Sequence, residues 1–235
     1  MSDTERPILL ISGAGEGLAA SIATTFAQSG YDVVGLARSD RIAQHLMRLV
    51  REAGGAYIHA ACDLTRPEQV GEALRPYLGR ISVLVHNAAA FVMKPFAETT
   101  AAEFEQAWRA ANLGAFVTSQ IVLPHMVARG TGTLIFSGAT AALRGGAKFA
   151  AFASAKFAQR GLAQALAREY GPQGIHVAHV VIDGMIDAAT TDRLAGPGSQ
   201  RMDPEAIARA YLYLASQHPS AWTHELDLRP SSERF

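Results

Sequence analysis

Apolar residues along this chain fall into two alternating rhythms. Residues 7–12 (PILLIS) have no polar face, as in a strand buried on both sides. Residues 32–37 (DVVGLA), 56–61 (AYIHAA), 81–85 (ISVLV), 133–137 and 175–182 (IHVAHVVI) read the same way. Between them the apolar positions take helical spacing: from Leu18 to the closing Gly30, over 38–53 before Gly54-Gly55, and from Arg66-Pro67-Glu68 with proline near the first position. Further helices span about 100–128, 149–170, and Asp203-Pro204-Glu205 to about 216, and the tail holds one short strand candidate. A less regular stretch rich in Ala, Gly and Thr predicts a substrate lid at 186–203. Strands alternating with helices, without a linker or a repeat, predict one α/β domain over 1–235. Its expected architecture is a doubly wound parallel sheet flanked by helices.

Composition narrows this without redirecting it. At 235 residues, 49% hydrophobic and 18% charged, the chain has enough apolar surface for a full core. Lys plus Arg equal Asp plus Glu at 21 each, so charge offers no argument for nucleic acid or an anionic membrane surface. Cys62 is the only cysteine, which excludes an internal disulfide and a multi-cysteine metal site; no metal is expected. The start, MSDTERPILLIS, is unlike a secretory signal, and no apolar run approaches the roughly 18–20 residues that span a bilayer. A cytoplasmic location is the expectation.

The candidate chemistry begins at Gly13-Ala14-Gly15-Glu16-Gly17, between the first strand and the first helix. Such a turn lets the backbone approach a pyrophosphate, and the helix N-terminus adds free N–H groups and a positive dipole. It does not fit G-x-G-x-x-G, because Leu18 stands at the last glycine. Three further segments stand out: His86-Asn87-Ala88-Ala89 after the fourth strand, Asn112 in Ala111-Asn112-Leu113-Gly114, and Phe152-Ala153-Ser154-Ala155-Lys156. Together these segments resemble the short-chain dehydrogenase/reductase family, a Rossmann-like fold, and the likeness covers about 8–216. Ser12 and Ala19 replace the threonine and last glycine of the family's T-G-x-x-x-G-x-G, and only Asn87 and Ala88 remain of its N-N-A-G.

The resemblance implies a dinucleotide held by Ser12, Gly13, Gly15, Gly17 and Leu18 at the glycine turn, with Asp63 and Leu64 at the adenine edge and Asn87 and Ala88 beside the adenosine. Lys156 would hold the nicotinamide ribose, and Gly184 and Ile186 would lie at the nicotinamide end. At the end of the second strand no carboxylate precedes Asp40, and the Arg38 guanidinium can pair with a 2′-phosphate, so NADP(H) is favoured over NAD(H). Each has a plainer reading: a tight turn, a helix-capping Asp63, a solvated Arg38. Glu16 stands where NADP(H)-using relatives often carry a basic residue.

Catalytic roles carry over to Asn112 and Lys156 alone. The serine and tyrosine positions hold Ala139 and Phe152, and neither side chain offers a transferable proton. Losing a general acid and an oxyanion donor would slow ordinary ketone reduction by at least about four orders of magnitude if the effects add, though groups acting on one oxygen need not be additive. Ser137, expected one layer deeper, Thr140 and Lys148 are weak substitutes; His179 reads as a satisfied core histidine. Asp183, in place of the family's proline before Gly184, would cap the lid helix or handle a proton. Phe91, Met93, Phe149, Phe152, Met185 and Ile186 would give the pocket an apolar lining.

Three functions fit these residues. One is an NAD(P)(H)-dependent oxidoreductase acting on a small, largely apolar substrate without the usual tyrosine acid. Another is a catalytically silent NADP(H)-binding sensor or partner subunit. The third is a structural subunit that has lost the cofactor, against which the retained glycine turn, Asp63, Asn112 and Lys156 argue. The family's pairing through its two long helices implies a homodimer or homotetramer.

Overall fold

The computed structural model describes residues 5–188, 191 and 201–232. Its strands are β1 (Ile8–Ser12), β2 (Asp32–Ala37), β3 (Tyr57–Ala61), β4 (Ile81–His86), β5 (Gly132–Ser137), β6 (Ile175–Ile182) and β7 (Glu225–Leu228). They form one sheet in the order β3-β2-β1-β4-β5-β6-β7, with every neighbouring pair parallel. Every residue of β1, β5 and β6 is buried, including the polar Ser12, Thr133, Ser137, His176 and His179 that interrupt their apolar runs. One face of the sheet packs against α1 (Leu18–Gln28), α2 (Ala43–Glu52) and α7 (Pro204–Ala215). The other packs against α3 (Pro67–Leu74), α5 (Gly114–Arg129) and α6 (Ala150–Tyr170). Strand order reverses between β1 and β4, opening a crevice at the carboxyl ends of the strands. Among the described residues no helix is long and apolar enough to cross a membrane.

The structure departs from the expected elements in two places that matter. The helix expected over 100–128 is α4 (Ala101–Trp108), a π turn at Arg109–Leu113, and then α5. A π turn inserts one residue into the hydrogen-bond ladder, which the expected single helix does not contain. The Thr100/Glu103 capping box fixes where α4 begins. The segment expected to be helical from residue 38 starts with a short turn at Asp40–Ile42, which leaves Arg38 and Ser39 in the loop. The expected lid falls largely on 189–190 and 192–200, outside the described residues; at its two ends Ile186 bridges to Met202.

Gly138, just past β5, tests how closely the sheet is packed. A Cβ there would overlap His179 Nε2 and lie 2.7 Å from the Val180 carbonyl oxygen, and His179 is fully buried. Gly138→Ala is expected to cost about 1–3 kcal/mol, read as a lower urea midpoint. An unchanged midpoint would show that the strand ends move apart freely.

Candidate functional site

The glycine turn sits at the switch point. Gly13 has φ +93°, and its N–H and that of Ala14 both donate to the Leu36 carbonyl, at 3.0 and 2.8 Å. A Cβ on Gly13 would lie 2.5 Å from the Ala88 nitrogen, so the turn and the loop after β4 touch only because this residue is glycine. Gly17, at φ +77°, is the residue before α1, whose first buried side chain is Leu18. Among the described residues no side chain caps that helix, which leaves its first N–H groups available to an anion. Ser12 lies below, fully buried, its Oγ 3.0 Å from His86 Nδ1 and 3.3 Å from Thr118 Oγ1.

A cleft of about 560 Å³ runs outward from the turn. Gly13, Gly15, Arg38, Asp63, Leu64, Asn87 and Ala88 all line it, bringing together the expected adenosine-side residues. Asp63 Oδ1 accepts from the Thr65 N–H at 2.9 Å and from Thr65 Oγ1 at 2.8 Å, and that backbone donor holds its carboxyl below the usual range. Arg38 is exposed on the cleft wall beside Arg41, and Arg41 pairs with Glu16 at 3.4 Å. Glu16 therefore has a cation of its own.

Sequence reasoning missed a brace behind Arg38. Tyr57 Oη lies 3.0 Å from His59 Nδ1, and His59 Nε2 lies 3.0 Å from the Ser39 carbonyl. A carbonyl only accepts, so Nε2 carries the proton and Nδ1 accepts from the tyrosine. Arg109, also missed, reaches from the π turn to Thr65 Oγ1 at 3.1 Å and lines the cleft. Both depend on strand register and on the π turn, which local sequence does not display.

At the reactive end Lys156 is 3% exposed, and burial lowers its ammonium to about 8. Nζ donates to the Ser137 carbonyl at 2.6 Å and to Gln159 Oε1 at 3.2 Å, and lies 5.8 Å from the centroid of the Phe152 ring. Gln159 Nε2 donates in turn to the Ala111 carbonyl at 3.1 Å. Asn112 occupies the same π turn, and its buried Oδ1 has no hydrogen-bond partner among the described residues. His86 Nε2 is 3.2 Å from the Ala110 carbonyl; burial first, and then the Lys156 charge, push this histidine down to about 3, so it is neutral. Two π-turn carbonyls thus receive side-chain donors from β4 and α6.

Around this cation the surface is apolar. Phe152 meets Phe91 edge-on at 5.2 Å between ring centroids, and Phe149 meets Phe91 at 5.8 Å. Phe91 and Met93 are half exposed, and Ala139 sits in extended backbone just past β5. Two of the weak substitutes, Ser137 and Thr140, are engaged elsewhere. Ser137 Oγ accepts from Tyr211 Oη at 2.9 Å on the α7 side of the sheet. Thr140 Oγ1 donates to Asp183, which also pairs with Arg229 at 3.4 Å, so Asp183 binds a neighbouring loop and the tail; the lid helix it was expected to cap lies outside the described residues. His179 is not the satisfied core histidine expected: neither ring nitrogen has a hydrogen-bond partner among the described residues, Nδ1 is 3.8 Å from Glu225, and burial pushes it down to about 4. Sequence alternation places His179 in the core but does not foresee whether its ring nitrogens find partners. Gly184 packs where a Cβ would meet Pro230 and Met202 at 2.8 and 2.9 Å, and Ile186 is half-buried beside them. No group of three or more metal-ligating side chains gathers among the described residues.

Against known proteins, the short chain dehydrogenase family model matches residues 7–196. The chain belongs to this family. A short-chain dehydrogenase from Rhodopseudomonas palustris is 36% identical, with a TM-score of 0.84 over 95% of this chain and 98% of its own. The 7alpha-hydroxysteroid dehydrogenase of Escherichia coli (strain K12) is 28% identical over 221 residues, 88% of this chain and 86% of its own. A metagenomic short-chain oxidoreductase solved in complex with NADP is 25% identical, with a TM-score of 0.83 over 97% of this chain and 98% of its own. This short-chain dehydrogenase is thus an oxidoreductase by family, with alanine and phenylalanine at two positions of the reactive end.

Proposed function

We propose that the chain binds NADP(H) and transfers hydride to or from a small, largely apolar substrate whose reaction needs no protein acid at the acceptor atom. The observation that carries this reading is the buried Lys156. Its ammonium has three N–H groups, two of which meet Ser137 and Gln159, and among the described residues no carboxylate pairs with it. A buried cation without a counter-ion is costly to keep, and a ribose hydroxyl is the partner it suits.

The other residues fit the same group. The uncapped α1 terminus suits a pyrophosphate, the cleft suits the adenosine, and Arg38 beside Arg41 suits a 2′-phosphate. When bound, the nicotinamide supplies the hydride. The chain holds the substrate against the apolar face of Phe91, Phe149 and Phe152. Nothing at Ala139 or Phe152 stabilises a developing alkoxide. An iminium becomes a neutral amine on taking hydride and needs no proton; an activated C=C takes its proton from solvent. Self-association would use Phe104 and Trp108 of α4, Phe116 of α5 and Phe157 of α6, all well exposed on the two long helical faces.

Titration of NADPH fluorescence is expected to show binding well below millimolar cofactor, with NADH weaker by about 10–100-fold, since charge-assisted hydrogen bonds are worth about 1.5–3 kcal/mol. Arg38→Ala should bring the two cofactors close together; an unchanged ratio would move the 2′-phosphate site elsewhere. No binding at millimolar NADPH would sink the reading. Stopped-flow hydride transfer with ketones, enones and imines then separates turnover from a silent cofactor-binding subunit.

A further inference from the structure

Gln159 is fully buried and lies three residues beyond Lys156 on α6, one helical turn along the same side. A buried carboxamide is tolerated when both ends are satisfied, and here both are. Its donor end meets Ala111 in the π turn, and its acceptor end meets the Lys156 ammonium. With Ser137 taking a second N–H at 2.6 Å, one N–H of the ammonium has no acceptor among the described residues.

We propose that Gln159 is a positioning residue of the cofactor site: its amide, anchored on the π turn beside Asn112, fixes Lys156 Nζ so that the remaining N–H faces the ribose. The proposal rests on the NADP(H) reading above. It also bears on how protons move. An amide neither accepts nor releases a proton near neutral pH, so the direct contact between the π turn and Lys156 is a fixed link that does not conduct. A proton leaving Lys156 departs on the cofactor side.

The groups facing Lys156 are few. His86 on β4 and His179 on β6 act on it through space, and burial keeps both neutral around pH 7; on its own helix the Phe152 ring completes the surroundings. Among the described residues the amide oxygen of Gln159 is therefore one of two direct acceptors that favour the charged form. Burial works against that form and sets its ordinary loss of the proton at about 8.

The test is NADPH affinity from about pH 6.5 to about pH 10 for the full-length wild type, Gln159→Leu, Gln159→Met and Gln159→Glu. Wild-type affinity is expected to fall as the pH rises through the lysine's titration. Both apolar variants should bind about tenfold more weakly near pH 7, because a hydrogen bond to a charged group is lost, and their decline should start at lower pH. Gln159→Glu keeps an acceptor and adds a charge, so its decline should move to higher pH. Equal weakening at every pH in all three variants, with the midpoint unmoved, would mean that Gln159 only packs. If the wild type binds no NADPH at all, the cofactor reading fails by itself. The ε-carbon shift of Lys156 in 13C-lysine protein then follows the same titration: displaced midpoints uphold the hold of Gln159 on Lys156, and a common midpoint refutes it.

Discussion

Ala139→Ser combined with Phe152→Tyr is expected to raise ketone reduction by at least about a hundredfold, and by about four orders of magnitude or more if the two gains add. The scaffold those hydroxyls require is in place. Ala139 follows directly on the end of β5 in extended backbone, where a serine Oγ would join the strand-end surface. The Phe152 ring already lies 5.8 Å from Lys156 Nζ, so a hydroxyl on it would stand near a buried ammonium whose charge favours the phenolate. Neither change adds bulk to the close packing at Gly138, and the Phe91 ring that meets Phe152 edge-on is half exposed and free to shift. The measurement is single-turnover NADPH oxidation across a ketone series, with NADPH affinity measured alongside. Tight NADPH binding with no gain in rate would mean that the pocket, not the missing hydroxyls, bars ketones. The single variants discriminate further. Phe152→Tyr alone restores the acid and should account for most of the gain, because the serine polarises an oxygen that still needs the proton.

The fold was legible because its signals are local. A strand buried on both faces announces itself as an apolar run, and the glycine turn announces itself by falling between the first run and the first helix. The adenosine side was legible for the same reason: Gly13, Asp63, Leu64 and Asn87 lie just past the ends of strands, and all strand ends of a parallel sheet meet at one edge. What the sequence hid are contacts between elements. Gln159 is an ordinary polar residue in an alanine-rich helix until the π turn brings the Ala111 carbonyl to it. His86 reads as a departure from a motif. In the structure it links Ser12, itself a departure, to Ala110, so two substitutions that look separate form one hydrogen-bonded chain. The brace of Tyr57, His59 and Ser39 follows from β2–β3 register, with Gly35 opposite His59 leaving room for the tyrosine. Asp183 was legible as a carboxylate near the nicotinamide end, but its engagement with Thr140 and Arg229 required the β5–β6 pairing and the course of the tail.

Lys156→Met separates what the buried cation does for the cofactor from what it does to the fold. NADPH affinity is expected to fall by about 10–100-fold, the worth of a hydrogen bond from a charged donor. The stability effect depends on pH in a direction set by linkage. Burial moves the lysine from 10.5 to about 8, so between those values the unfolded chain holds a proton that the folded chain has released. Stability rises with pH wherever the unfolded state binds more protons. Wild type should therefore gain about 3 kcal/mol relative to Lys156→Met between about pH 8 and about pH 10.5, at about 1.4 kcal/mol per pKa unit. The tyrosines and Cys62, which burial raises, pull the other way at the alkaline end, but they are common to both proteins and cancel in the difference. At pH 7 the sign is a contest. Removing the charge relieves its desolvation, while the Ser137 carbonyl and Gln159 Oε1 each lose their donor, at about 1–3 kcal/mol per unsatisfied group. The pH slope of the difference is free of that contest, because the orphaned acceptors do not titrate. Urea midpoints of the two proteins at several pH values give it directly. A flat difference curve would mean that Lys156 keeps its proton in the fold through the whole range, which requires a counter-charge that the described residues do not supply.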